Sequence, residues 1–172
     1  RGLSYGASAR LGSGRGVRPG DIVGALATAR PCQAMGTEFI LGGVAWERWP
    51  VDPHPGSRSM TEILGGEPLS VSTVLAREGT TTPTGVPFAE SRMAAHICSD
   101  TVLVDVWGGP AVVAEGLAET CRRLSCDLLI LLDVGGDAIA LGDEPGLASP
   151  LCDATLLAAG LRLASEIPVM CG

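Results

Sequence analysis

Apolar positions in the second half of the chain alternate between unbroken short runs and helically spaced stripes. Thr101 to Val106 is β-branched and apolar, which predicts a strand. Gly108-Gly-Pro110 reads as a turn with Pro at the first helical position. Val113, Leu117, Cys121 and Leu124 keep helical spacing, so a helix is predicted over 110–124. Arg122 and Arg123 sit near its C-terminus, where the dipole favours them. Asp127 to Val134 is the next predicted strand. Ser149-Pro150 caps and opens a further helix, with Leu151, Ala154, Leu157, Ala158 and Leu161 as its expected buried stripe, and Ile167 to Met170 begins another strand. Runs that stay apolar, rather than alternating, imply burial on both faces and hence a parallel sheet flanked by helices.

The first half is less regular. Asp21 is a good N-cap, and Ile22, Val23, Leu26, Ala29 and Met35 give a helical stripe. Glu38 to Gly42 reads as a short buried strand, Leu69 to Ala76 as another, and Phe88 to Ile97 as a helix. Residues 43–68 form a long polar excursion with Pro50, Pro53 and Pro55; a loop of that length is functional or disordered. Residues 1–19 carry Arg1, Arg10, Arg15 and Arg18 among Gly and Ser without periodicity and read as a flexible lead-in to one α/β domain over 20–172. No convincing strand precedes the helix at Asp21, and the chain stops as its last strand finishes. The expectation is therefore a Rossmann-like three-layer fold with a mostly parallel sheet, truncated at both ends, as a fragment or through a displaced start.

Composition narrows the chemistry. The chain of 172 residues can bury a core. Aromatics are only 3%, so Leu, Val, Ile and Ala must build it. All 12 basic residues are Arg, which excludes a Schiff-base or P-loop lysine. A net charge of −7 argues against nucleic acid and against anionic membrane surfaces as partners. No apolar run approaches the roughly 18 residues a spanning helix needs. The six cysteines form no Cys-x-x-Cys, and only His54 and His96 could complete a zinc site. Most of them read as small buried hydrophobes in a reducing cytoplasm.

Candidate chemistry gathers after the strands. Asp133 closes an apolar run, Gly135 and Gly136 turn the backbone, and Asp137 follows. Two carboxylates across a diglycine turn can share a cation, and Mg²⁺ is the natural one, held with a substrate phosphate. Alternatively, mutual repulsion raises one pKa and makes a general acid. Glu144 is a further candidate metal ligand, and Asp153 adds a ligand-binding carboxylate in the first turn of its helix. Asp105 ends another strand beside Trp107-Gly-Gly109, while Asp100 and Asp143 read as turn residues. In the excursion, Glu47 is a candidate catalytic carboxylate, Trp46 a stacking surface, and Arg48 and Arg58 anion contacts. His54, between two prolines, reads as solvent-exposed. Gly20 and Asp21, after a glycine-rich stretch, open a helix whose N-terminus could cradle an anion.

Together these segments resemble a prokaryotic family known only as a domain of unknown function. Its members look like Gly-Gly-Gly-Asp-Val-Val-Gly-Ala, then Leu-Gly-Gly-x-x-Trp-Glu-Arg, Asp-Pro-x-Pro-Gly-Pro-Arg, and Asp-Val-Gly-Gly-Asp with a Ser-Pro-Leu-x-Asp tail. The matching residues are Gly20 to Ala25, Leu41 to Arg48, Asp52 to Arg58, Asp133 to Asp137 and Ser149 to Asp153. Arg18-Pro19 replaces the poly-glycine turn, and the family continues beyond Gly172, so this chain looks like a partial copy. The resemblance implies a fold and a site edge, and no activity.

The reading that results is an enzyme acting on a small anionic or phosphorylated metabolite, with Mg²⁺ as the candidate metal. Its class stays open between metal-assisted hydrolase, lyase and transferase. A non-catalytic metabolite sensor and an inactive fragment are the alternatives. Self-association is compatible with either.

Overall fold

A computed structural model describes residues 2–6, 20–47, 51–134, 139–141 and 150–172, with the backbone alone for residues 2–6, 20 and 21. The fold is mixed α/β around one mostly parallel sheet. In chain order the main elements are β1 (Gly2–Gly6), α1 (Gly20–Ala34), β2 (Phe39–Val44), β3 (Trp46–Glu47), β4 (Gly56–Ser57), β5 (Glu67–Pro68) and β6 (Thr73–Ala76). They continue as α2 (Ala89–Ile97), β7 (Thr101–Val104), α3 (Gly109–Arg123), β8 (Leu128–Leu132), α4 (Pro150–Leu163) and β9 (Val169–Cys171).

The sheet runs β5-β6-β7-β2-β1-β8-β9. Pairings from β7 through to β9 are parallel, while β6 joins β7 and β5 joins β6 antiparallel. The chain steps from β1 outward to β2 and β7, then crosses back to lay β8 on the other side of β1. The direction of winding therefore reverses between β1 and β8.

The strand β1 corrects the expectation that nothing pairs ahead of α1. Gly2-Leu-Ser-Tyr-Gly6 has no apolar run to announce it, yet it lies centrally, with Gly6 in register with both Gly43 and Leu132. Its neighbours supply the ladder that its own composition does not suggest.

Burial on β7 shows how the core divides. Val102 and Val104 are fully buried in a cluster with Val113 and Leu117 of α3, Leu129 and Leu131 of β8, and Leu156 and Leu163 of α4. Leu103, pointing the other way, packs with Val74 and Phe88. Ile22, Ala25 and Ala29 of α1 meet Leu41 of β2 and Met93 of α2. Each fully buried Leu contributes about 1.5–3 kcal/mol.

Two helical stripes differ from expectation. In α4 the buried residues are Cys152, Asp153, Thr155, Leu156, Ala159, Gly160 and Leu163, whereas Leu151 and Leu161 are 73% and 81% exposed. Of the stripe expected for α1, Val23 is exposed and Met35 lies exposed just past the helix. Both helices carry apolar residues on every side, so spacing alone does not select the inward face.

At the other end of the scale, α3 has sharp boundaries. Gly109, with φ of 73°, turns the chain into it, a backbone that favours glycine. Its exit is a Schellman motif: Ser125 adopts φ of 55°, the Cys126 amide donates to Cys121 O at 2.8 Å and the Ser125 amide to Arg122 O at 3.3 Å. Cys121 and Cys126 are both buried there, and the neighbouring Cys126 thiol together with burial pushes the Cys121 thiol well up.

Candidate functional site

Helices that link parallel strands run back against them, so their first turns stand at the edge where the strands end. On this edge the register aligns Leu132, Gly6 and Gly43, then Val44 with Val104. The segments after residues 43, 104 and 132 therefore share one rim of the sheet. Asp133 and Asp105 lie about 14 Å apart along it, three strand spacings.

Asp133 follows Leu132 at the winding reversal. It is half-buried, and its amide donates to Gly172 O at 2.9 Å, tying it to the end of β9. The start of α1 comes close to the same point. A Cβ on Gly24 would collide with the Val134 side chain, so glycine there lets the helix approach the end of β8. Gly20 is the first residue of α1. Asp137, Gly135, Gly136, Glu144 and Arg48 lie outside the described residues.

Two further buried carboxylates lie in first helical turns. Asp153, proposed from sequence, is 3% exposed in α4. Glu90, which the sequence reading did not single out, is 7% exposed in α2. A Cβ on Gly43 would collide with Glu90 Oε1, so the carboxylate occupies the space over the end of β2. A lone Glu early in a predicted helix gives no signal of this, because the space it fills is left by a glycine on another element.

The described part of the 43–68 excursion is folded rather than loose. Strands β3 and β4 pair Trp46 with Ser57 and Glu47 with Gly56. Between them Asp52 is completely buried. Oδ1 accepts the His54 amide at 2.8 Å, and Oδ2 accepts the Thr82 and Thr84 hydroxyls at 2.9 and 2.8 Å. Arg58 is 6% exposed, 3.4 Å from Asp52 Oδ1, and donates to His54 O. Burial alone would push the Asp52 carboxyl up; the His54 amide, the two hydroxyls and the Arg58 charge outweigh it and hold it down at about 2. This is a structural clamp on the loop, and it engages the guanidinium that the sequence suggested for an anion. Glu47 is buried, Trp46 packs half-buried on the core, and His54 is exposed as expected.

Asp105 has a similar structural use. Its Oδ2 accepts the Met60 amide at 2.9 Å and its Oδ1 the Trp107 amide at 2.7 Å. It thereby docks the short 3₁₀ turn Met60–Glu62 against the end of β7. Asp100 pairs with Arg77 at the opposite edge. A cleft of about 370 Å³ opens at that far edge, between Gln33, Phe39, Leu75 and Leu124, and is not continuous with the rim.

Among the described residues no group of three or more His, Cys, Asp or Glu converges to hold a metal ion. Likewise, none of the described helices is long and apolar enough to cross a membrane. Residues 11–171 match the model of a family described as "Protein of unknown function (DUF1152)". The chain belongs to that family. No curated protein and no solved structure matches it. The match takes in the chain from α1 to β9 and the clamp, but not β1, and carries no activity with it.

Proposed function

We propose that this member of DUF1152 is a cytoplasmic enzyme with a Rossmann-like three-layer fold that acts on a small anionic, phosphorylated or nucleotide-like metabolite. The observation that carries the reading is the reversal of winding between β1 and β8, with the start of α1 packed beside it through Gly24. In open α/β sheets ligands bind outside the strand ends at such a point. A helix N-terminus there offers amides and a favourable dipole to an anion. The parallel order β7-β2-β1-β8-β9 corresponds to the doubly wound arrangement of dinucleotide-binding sheets.

In this reading the anionic group lies at the start of α1, near Gly20 and Asp21, and Arg48 completes its recognition. Asp133 and Asp137 hold Mg²⁺ or act as acid and base; the diglycine Gly135-Gly136 lets them converge, and Glu144 joins them as a further ligand. When bound, the metal would neutralise charge on the phosphate. Asp153 and Glu47 contribute carboxylates from the surrounding rim. Arg58 and Asp52 support the loop rather than touch the ligand. The six cysteines are thiols rather than disulfides, which suits a reducing compartment.

Calorimetric titration of the whole chain with phosphorylated metabolites, with and without Mg²⁺, tests it. Asp137→Asn is expected to abolish the Mg²⁺-dependent part of binding. An unchanged Mg²⁺ titration in that variant removes the assignment. Stabilisation by a metabolite that is never consumed identifies a sensor instead of an enzyme.

A further inference from the structure

We infer that β9 is the seam of a homodimer, in which its outer edge pairs antiparallel with β9 of a second copy about a two-fold axis between the two Met170 residues. This assembly does not depend on the activity proposed above. Among the described residues β9 is the last strand on its side of the sheet, with β8 as its neighbour. The two edges of the sheet are built differently. On the far side, β5 consists of Glu67 and Pro68. The proline has no amide to offer, and the glutamate holds an ion pair with Arg77 at 2.8 Å. Proline and charge are the usual devices that keep a sheet edge from pairing. The sequence of β9 is Val169-Met170-Cys171, which has neither. Met170 is 57% exposed, and Leu161 of α4, the helix packed on β9, is exposed as well.

The hydrogen bonds of β9 set how a second copy sits. Pro168 O accepts the Leu129 amide, while the Gly172 amide donates to Leu131 O and its carbonyl accepts the Asp133 amide. Residues 168 and 172 therefore turn their backbone groups toward β8, and by the period of two Met170 does the same. The amides and carbonyls of Val169 and Cys171 face outward. Antiparallel pairing of two such edges sets Val169 of each copy opposite Cys171 of the other, and each of these pairs exchanges both of its backbone bonds. The Met170 residues meet at the centre as the close, non-hydrogen-bonded pair. The edge is thus self-complementary, as a two-fold interface requires. It is also uncharged. In a chain of net charge −7, a surface that faces its own copy has to be neutral, because like charges directly opposite repel. A charged peptide finds nothing on this edge to pair with. The same register sets Pro168 of the second copy opposite Gly172, whose carbonyl holds the Asp133 amide, so the seam runs up to the rim.

Analytical ultracentrifugation of the whole chain over a range of concentrations tests the seam. The wild type is expected to run at twice the mass of one chain. Cys171→Pro removes an outward amide and none that faces β8, so it should run as a single chain with its circular dichroism unchanged. Met170→Lys and Met170→Glu, each alone, set like charges against each other across the axis and should also run singly. Mixed in equal amounts, these two variants should recover the double mass, because opposite charges then meet across the axis. Met170 is exposed, so this pair of variants decides the matter even if Cys171→Pro does not fold. A wild type that runs singly at every concentration overturns the inference. So does a double mass that survives Cys171→Pro and both Met170 substitutions, which would put the contact on another surface. A mixture of the two charged variants that stays single overturns the two-fold pairing through Met170.

Discussion

Arg58 lies 3.4 Å from Asp52 Oδ1, and both side chains are almost fully withdrawn from solvent. Between them the chain turns through His54, whose amide and carbonyl are taken up by the same two residues. Breaking a buried pair from one side leaves an uncompensated charge, which typically costs about 3–5 kcal/mol. Arg58→Ala is expected to destabilise the protein by that order in urea unfolding. A loss below about 1 kcal/mol, the size of an exposed pair, would mean the clamp is not formed in solution.

The same carboxylate predicts an acid limb in the stability profile. Asp52 is held down at about 2 in the folded chain, against an ordinary 3.8. A depressed carboxylate adds stability that is complete above its unfolded value and lost as pH falls through the folded one. The contribution is on the order of 2 kcal/mol. Unfolding free energies measured from pH 5 down to pH 2 should fall more steeply in the wild type than in Asp52→Asn. Parallel profiles would remove Asp52 from the acid response.

The closeness of α1 to the end of β8 can be tested at Gly24. A side chain there meets Val134, and overpacking of this kind costs about 1–3 kcal/mol. Gly24→Leu is expected to lose that amount, and adding Val134→Ala should restore at least half of it. A loss that ignores Val134→Ala would place α1 elsewhere.

Much of the second half of the fold was legible in the sequence. The helix expected over 110–124 is Gly109–Arg123, and the strand expected over 127–134 is Leu128–Leu132. Both have unambiguous patterns, one periodic and one continuous. The strand β1 was not legible, because two glycines, a serine and a tyrosine in five residues become a strand only when β2 and β8 pair on either side. The inward face of α4 was misread because Leu151 and Leu161 are as apolar as Leu156 and Leu163. Composition carries no direction when every side of a helix is greasy.

The candidate site was legible only as an edge. Strand ends followed by glycine and acid pointed to one edge for 43, 105 and 133, and the register puts the strand ends there, with Asp105 and Asp133 three strand spacings apart. Which acids are structural was hidden. Asp52 and Asp105 spend their oxygens on backbone amides and hydroxyls up to 45 residues distant, partners no local pattern reveals. Glu90 was hidden for the converse reason, since its significance comes from the absence of a side chain at Gly43.

The central position of the first strand has a consequence for how the molecule is made. As the chain leaves the ribosome, Gly2–Gly6 emerges before the other strands of the sheet but finds its second neighbour only once Leu128–Leu132 has been synthesised. Until then the middle of the sheet has one bare flank, open to any passing extended peptide. A nascent chain halted before Leu128 should be a magnet for chaperones, and one that proceeds past it should let them go.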